Sequence, residues 1–548
     1  MTEIGRIGAF NRERAAIELD KQLTNFNDPL LWPTPSMSAV ELGDDLCANF
    51  TQDYVDILPD NWNVLSLSLS ADCTEFVVSR LHKGQTPFLL RLPLKRGNSD
   101  EDEEQFTFED GREEMRELIE LANESAHAAK AQVDKHMKKQ WWKNREALDH
   151  RMGNLLQNIE NMWFGGFRGI FSPVSKEEAA LGRFANSFHY ILDKHLPSRQ
   201  KGGRSTTGPK LTLHRNVLEL FIGIKDLEEQ EDPEETLLDL LYFVVDILQF
   251  QGERNAYDEI DFDMMVVETL DALRGYHEAV RRESTNQQTN RTVLILDKAL
   301  HLFPWESLPC LQGSPVCRVP SLECLRDRVL RFRGEQGTNS RLNIDRTNGT
   351  YILNPTGDLQ TTQGTFEQGL ARLNGWNGIV NRQPTEDEFR ESLENNSLFL
   401  YFGHGSGAQY IRGRTIKRLD QCAVAFLMGC SSGTLTEAGD YEPYGTPMNY
   451  LHAGSPALVA TLWDVTDKDI DRFAQSTFER WGLISGDGEG SSSKKGKSRA
   501  SPQSSSGHSG SASVALDEAV CESRGACVLK YLNGAAPVIY GVPSVFLE

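Results

Sequence analysis

A histidine and a cysteine, each set among glycines, are the residues whose surroundings suggest chemistry. His404 lies in the run GHG at 403–405, and Cys430 lies in the run GCSSG at 429–433. Acyl transfer needs a nucleophile, a proton shuttle and N–H donors for the developing oxyanion. Glycines let the backbone approach a substrate closely. The pattern favours a cysteine endopeptidase, with the amides of Gly405 and Cys430 as oxyanion donors.

Both residues follow short apolar runs that predict buried strands. The runs are LFLYF at 398–402 and VAFLM at 424–428. Ligands of open parallel sheets bind beyond the carboxyl ends of the strands. If the two strands are neighbours, His404 and Cys430 face one crevice. Taken singly, a buried cysteine is usually a small apolar residue, and a histidine in a glycine loop is usually structural. The combination of the two turns is what predicts a site.

A group of acids follows a further apolar run, in the sequence WDVTDKDIDR at 463–472. Acids in a first helical turn suit the helix dipole, which accounts for some of them. A pocket for a cationic side chain is the functional alternative. Asp464 ends a predicted strand, and Asp467 and Asp471 share one helix face. A buried carboxylate there would bind arginine through charge-assisted hydrogen bonds.

The surrounding pattern predicts an α/β fold. From residue 291 onward, short continuous apolar runs alternate with helical periodicity, which indicates a parallel sheet covered by helices. We expect its strands at 292–296, 350–353, 397–402, 423–427 and 457–462. Upstream, alternation predicts strands between about 60 and 95, and helical spacing begins near 109, first as a two-helix hairpin. The Gly-, Ser- and Lys-rich stretch 483–513 predicts a disordered loop.

Composition argues against several other classes of protein. The net charge of −22 argues against non-specific nucleic-acid binding, and no apolar run is long enough to predict a membrane span. Nine cysteines, an odd number in 548 residues, favour a reducing compartment over a disulfide framework. We expect no metal or cofactor, since no metal-ligand spacing or phosphate loop occurs. His127 lies on a helical pattern and is predicted to be solvated.

Several motifs together resemble separases, the caspase-like proteases that open the cohesin ring at anaphase. They are YFGHGSGAQY at 401–410, LMGCSSG at 427–433 and LWDVTD at 462–467, supported by FPWESL at 303–308 and YILNPT at 351–356. The resemblance is strong over about 291–547 and weaker back to about 58. It implies a caspase-like, mostly parallel sheet flanked by helices, preceded by a catalytically silent β-containing domain with a long helical insertion.

The resemblance also implies boundaries and roles. Residues 1–108 would belong to the silent domain, 109–250 to a substrate-engaging insertion, 251–290 to a connecting helical segment, and 291–548 to the active domain. His404 would be the general acid/base and Cys430 the nucleophile, with Gly405 in the oxyanion hole. Separases cleave after Arg, usually with an acid three positions earlier. The arginine pocket is therefore expected among Asp464, Asp467 and Asp471, with Asp471 the first choice.

The same resemblance implies partners. They are the kleisin subunit of cohesin as substrate and securin as inhibitor and chaperone, in cytoplasm and nucleus. Full-length separases carry a large N-terminal helical-repeat region, so this chain is expected to be the C-terminal part. Two alternatives stay open: an inactive caspase-like scaffold, and a hydrolase of small thioesters or amides. Labelling by a peptide acyloxymethyl ketone ending in Arg distinguishes the scaffold from the protease, because a scaffold would not react.

Overall fold

The computed structural model of the chain describes residues 2–25, 49–94, 106–128, 134–200, 211–224, 233–283, 289–336, 341–484 and 514–548. The predicted loop 483–513 lies outside these residues except for its first two. The chain divides into two compact units. Unit 1 holds the described parts of 1–7, 36–121 and 147–326, and unit 2 holds those of 8–35, 122–146 and 327–548.

Unit 1 has a sheet at its centre. Its strands are β1 (Trp62–Leu69), β2 (Glu75–Leu81), β3 (Phe88–Pro93), β4 (Arg291–Leu296) and β5 (Val316–Arg318). They lie in the order β3-β2-β1-β4-β5, antiparallel from β3 to β1 and parallel from β1 to β5. Every residue of β4 is buried, because both faces of the sheet are covered there.

Helices fill most of the described chain before β4. They are α1 (Thr2–Asn25), α2 (Phe108–Ala128), α3 (Lys135–Asn158), α4 (Glu178–His195), α5 (Arg215–Ile222), α6 (Pro233–Phe250) and α7 (Phe262–Glu283). The hairpin predicted at the start of the helical region is α2 with α3. Within unit 1, Arg151 Nε donates to Glu114 at 2.5 Å. Within unit 2, Arg145 donates to Ser125 Oγ at 2.7 Å, so polar contacts hold both ends of the hairpin.

Unit 2 also has sheet strands at its centre, and these are mostly parallel. Its strands are β7 (Gly349–Leu353), β8 (Asn377–Val380), β9 (Leu398–Phe402), β10 (Val424–Leu427), β13 (Ala457–Thr461) and β14 (Pro537–Gly541). The order is β14-β13-β10-β9-β7-β8, and β14 alone runs antiparallel to its neighbour. Two short pairs accompany it: β6 (Leu342–Ile344) with β15 (Val545–Leu547), and β11 (Thr436–Ala438) with β12 (Tyr441–Tyr444).

Helices cover this sheet. They are α8 (Leu322–Gln336), α9 (Gln360–Ala371), α10 (Glu386–Glu394), α11 (Gly413–Lys417), α12 (Thr446–His452), α13 (Asp467–Trp481) and α14 (Leu516–Ser523). Phe402, the last residue of β9, stacks on Phe366 of α9 at 4.3 Å and meets Phe478 of α13 at 6.1 Å. Aromatic packing therefore fixes both helices at the carboxyl end of β9.

The predicted α/β class, with a mostly parallel sheet flanked by helices, is confirmed. The last helix, α14, ends at Ser523. Beyond it the backbone N–H groups of Val528 and Leu529 turn to the carboxylate of Asp469 instead of continuing a helix. Among the described helices, none is long and apolar enough to cross a membrane. The described residues also contain no cluster of metal-ligating side chains.

Candidate active site

The strand order in the sheet of unit 2 changes direction at β7. The next strand in sequence, β8, lies on one side of β7, and the following strands β9, β10 and β13 lie on the other side. Such a switch point leaves a crevice at the carboxyl ends of the strands. Leu353 pairs with Phe402, and Leu427 pairs with Tyr401, so the loops that follow β7, β9 and β10 open side by side.

The loop after β9 carries His404, whose side chain is 45% exposed. The Tyr401 hydroxyl donates to the His404 carbonyl at 2.9 Å. Gly405 has φ +61°, in the left-handed region that favours glycine. The imidazole Nε2 lies 2.8 Å and 3.1 Å from the two carboxylate oxygens of Asp358. The turn therefore presents the imidazole at the mouth of the crevice with a carboxylate beside it.

The loop after β10 carries Cys430. Its thiol donates to the Val465 carbonyl at 3.6 Å. Ser431 follows with φ +53°, and its hydroxyl donates to Asp464 Oδ1 at 2.5 Å. Ser432 bonds the Leu427 carbonyl at 2.7 Å, which closes the turn against the end of its own strand. These bonds hold a tight turn with the sulfur at its tip.

The histidine and cysteine turns meet backbone to backbone. A Cβ on Gly429 would lie 2.0 Å from the Gly405 carbonyl oxygen and 2.4 Å from that of Gly403. Only glycine fits at that contact. His404 and Cys430 line one pocket, as predicted from the two strand ends.

The predicted oxyanion donors lie at the same contact. The Gly405 nitrogen is 2.9 Å from the position of a Cβ on Gly429, the residue before Cys430. Among the residues that the structure describes, no backbone carbonyl accepts the N–H of Gly405 or Cys430. Acyl transfer needs N–H donors of this kind beside the nucleophile.

Cys430 is a protonated thiol at neutral pH. Burial raises its pKa to about 11, a backbone hydrogen bond with Val465 opposes this, and the charges of Asp464 and Asp467 raise the pKa further. A thiol of this kind reacts only when a base removes its proton during attack. His404, on the neighbouring turn, is the imidazole that lines the same pocket.

Asp471 of α13 lies on the pocket wall. It is 6% exposed, and Thr362 of α9 donates to its Oδ2 at 2.9 Å. Burial raises its pKa to about 7, with a further contribution from Asp467 and a lowering one from the Thr362 bond. A buried carboxyl is stabilised by a neighbouring cation or by a bound proton, so this side chain is suited to bind a guanidinium.

The other two predicted acids differ from Asp471 in their surroundings. Asp467 lines the pocket and is exposed to solvent. Asp464 is outside the lining: it accepts the Ser431 hydroxyl, and its Oδ2 lies 3.0 Å from His127 Nε2. Its own N–H donates to the Asn123 side chain at 2.9 Å. Asp464 is thus part of the support of the cysteine turn.

Sequence reasoning missed three residues here. Asp358 beside His404 and Thr362 beside Asp471 belong to no chemical motif, although Asp358 does follow a predicted strand end by five residues. His127, predicted to be solvated, is 76% exposed but pairs with Asp464. The position of this acid shortly after a predicted strand is the sequence signal that could have identified Asp358.

A model of the family described as "Separin, protease domain" matches residues 71–470. A curated protein named Separin from Emericella nidulans is 73% identical over 548 residues, covering 100% of this chain and 25% of that protein. Separin from Schizosaccharomyces pombe is 42% identical over 499 residues, covering 91% of this chain and 26% of that protein. This chain therefore spans about a quarter of the length of these relatives.

A solved structure gives a fold match as well. The crystal structure of the Saccharomyces cerevisiae separase–securin complex at 2.6 Å resolution aligns with a TM-score of 0.79 and 32% identity. The match covers 97% of this chain and 33% of that one. Both units of the described chain thus have counterparts in a single solved protein.

Proposed function

Because this chain belongs to the family of the separin protease domain, we propose that it is a cysteine endopeptidase that cleaves after arginine. One observation supports this most directly. His404, Cys430 and the buried carboxyl of Asp471 line a single pocket at the switch point of the unit 2 sheet. Nucleophile, base and a group for a cationic side chain are therefore within reach of one bound residue.

In the proposed reaction, His404 takes the proton of the Cys430 thiol as the sulfur attacks the carbonyl carbon after arginine. The N–H groups of Gly405 and Cys430 bind the oxyanion of the tetrahedral intermediate. When the C–N bond breaks, the imidazolium returns its proton to the leaving amine. Water then attacks the thioester, His404 taking its proton, and the acid product leaves with the thiol restored.

Specificity for arginine rests on Asp471. Its carboxyl is buried and carries one hydrogen bond from Thr362, so an entering guanidinium meets an acceptor that water does not satisfy. Charge-assisted bonds of this kind are stronger than neutral ones. Asp467 at the exposed side of the pocket adds negative potential along the path of entry. Preference for an acid three positions before the arginine is proposed from the family resemblance alone.

The biological role follows from the family as a proposal. The chain cleaves the kleisin subunit of cohesin and so permits sister chromatids to separate. The solved relative is described as a separase–securin complex, and we propose securin as the inhibitor and chaperone of this protein too. Action in cytoplasm and nucleus, and substrate engagement by the helical insertion at 109–250, belong to the same proposal.

Active-site labelling tests the reaction. A peptide acyloxymethyl ketone ending in Arg should modify Cys430, identified by peptide mapping, and the Cys430→Ser variant should neither react nor cleave an Arg reporter peptide. A matching probe ending in Leu should label far more slowly. Absence of labelling in the wild-type protein would support an inactive scaffold. Equal labelling by both probes would contradict a pocket selective for arginine.

A further inference from the structure

The loop after β7 brings a third side chain to the histidine and cysteine. Asp358 follows Leu353, the last residue of β7, by five positions. Both of its carboxylate oxygens lie within hydrogen-bond distance of His404 Nε2, at 2.8 Å and 3.1 Å. Leu353 pairs with Phe402, the last residue of the histidine strand, so the two loops leave the sheet side by side.

Hydrogen bonds and two left-handed backbone positions fix the conformation of the loop after β7. Asn354 is fully buried with φ +52°, and its side chain accepts the N–H of Leu359 at 2.8 Å and donates to Gln363 at 2.8 Å. The Asn354 N–H donates to the Phe402 carbonyl at 2.9 Å, which ties the loop to β9. Gly357, with φ +78°, supplies the second left-handed position of the turn. The carboxylate is thus carried on a braced turn.

The contact between Asp358 and His404 determines which ring nitrogen of the neutral imidazole carries the proton. A carboxylate accepts hydrogen bonds, so Nε2 carries the proton of the neutral imidazole, and Nδ1 keeps the lone pair. Nδ1 is then the atom that takes the proton from Cys430. The other titratable groups of the same pocket are Cys430, Asp467 and Asp471.

We propose that Asp358 is a positioning residue of this site, holding the tautomer and orientation of His404. The proposal rests on the proposed endopeptidase function and adds a third member to its histidine and cysteine. Asp358 acts through His404 and touches no reacting atom. Both side chains are 45% exposed, so solvent screens the pair and its effect is moderate.

Kinetics of Asp358→Asn and Asp358→Ala test this role. In Asp358→Asn, which keeps an acceptor but loses the charge, kcat for an Arg reporter peptide should fall about fivefold at unchanged KM. Asp358→Glu, which keeps the carboxylate, should retain more of the wild-type kcat than Asp358→Asn. Asp358→Ala should lower kcat further. A matched control is Asp345→Asn, an exposed acid before β7 that bonds Thr347, which should change neither quantity.

A second readout does not depend on peptide cleavage. The rate at which iodoacetamide alkylates Cys430 at one fixed pH, followed by mass spectrometry, should also fall in Asp358→Asn. Melting temperatures of all variants establish that they are folded. Unchanged kcat and unchanged alkylation rates in Asp358→Asn and Asp358→Ala would overturn the inference, and so would a raised KM at constant kcat. A lowered alkylation rate in a chain that cleaves no peptide would keep the inference and overturn the endopeptidase proposal.

Discussion

Replacing Asp471 by asparagine should stabilise the protein at alkaline pH and weaken its binding of arginine. Asp471 is 6% exposed and has a pKa of about 7, raised mainly by burial. A carboxyl whose pKa is higher in the folded than in the unfolded state binds its proton more tightly when folded. The stability it contributes is therefore complete below its unfolded pKa and is lost as pH rises toward 7.

The magnitude follows from the difference in pKa. The ordinary value is 3.8 and the folded value is about 7. At about 1.4 kcal/mol for each tenfold change, full ionisation costs about 4 kcal/mol of the free energy of unfolding, of which about 3 kcal/mol falls between pH 5 and pH 8. An asparagine of similar shape keeps an acceptor for Thr362 and carries no charge, so this loss should vanish in Asp471→Asn.

Thermal melting at pH 5 and pH 8 measures the effect. The melting temperature of Asp471→Asn relative to wild type should rise by roughly 5 °C between the two pH values, taking about 2 °C per kcal/mol for a unit of this size. Asp467→Asn is the matched control, since it removes an exposed acid from the same helix face. A difference for Asp471→Asn no larger than that of the control would refute the reasoning, because the carboxyl would then be solvated.

The same ionisation should govern substrate binding. Only the ionised carboxylate attracts a guanidinium, so KM for an Arg peptide should rise as pH falls through about 7 in the wild type. In Asp471→Asn, KM should be high throughout and lose this dependence. A wild-type KM that stays constant from pH 6 to pH 8 would show that Asp471 does not bind the arginine.

Two further predictions concern the support of the site. Gly429→Ala should cost at least about 2 kcal/mol of stability and abolish cleavage, because its Cβ would lie 2.0 Å from the Gly405 carbonyl oxygen. The control is Gly364→Ala in α9, where a Cβ meets nothing within 4 Å, and its melting temperature should be no lower than that of the wild type. Asp464→Asn, which weakens the acceptor of the Ser431 hydroxyl, should lower kcat for an Arg peptide and leave KM unchanged; a raised KM would instead place Asp464 in the arginine pocket.

The strand ends of the site were predictable because buried parallel strands have a plain signature. Continuous apolar runs located β9 and β10, and the glycine-flanked residues after them became neighbours as soon as the strands paired. Their common pocket follows from that pairing. The three acids could not be ranked in the same way. Asp464 and Asp471 differ in which tertiary neighbour each meets, Ser431 for one and Thr362 for the other.

Helix α1 shows a different limit of sequence reasoning. Its residues have no clear apolar period, because charged contacts hold much of it within unit 2. Arg14 donates to Asp327 at 3.0 Å, and Asp20 accepts from Arg418 at 2.5 Å. These partners lie hundreds of residues away along the chain, so no local sequence pattern predicts the contacts. Phe10, which stacks on His452 at 4.9 Å, is an isolated apolar contact of the same kind.

The contact between α13 and the segment after α14 joins parts of the chain that are distant in sequence. The carboxylate of Asp469, only 1% exposed, accepts the N–H groups of Val528 and Leu529 and the side chain of Asn533 at 2.8 Å. These bonds join α13 to a segment about 60 positions further along the chain. The acceptor is a single carboxylate, so a substitution of Asp469 would leave two backbone N–H groups and a buried amide without this partner at the same time.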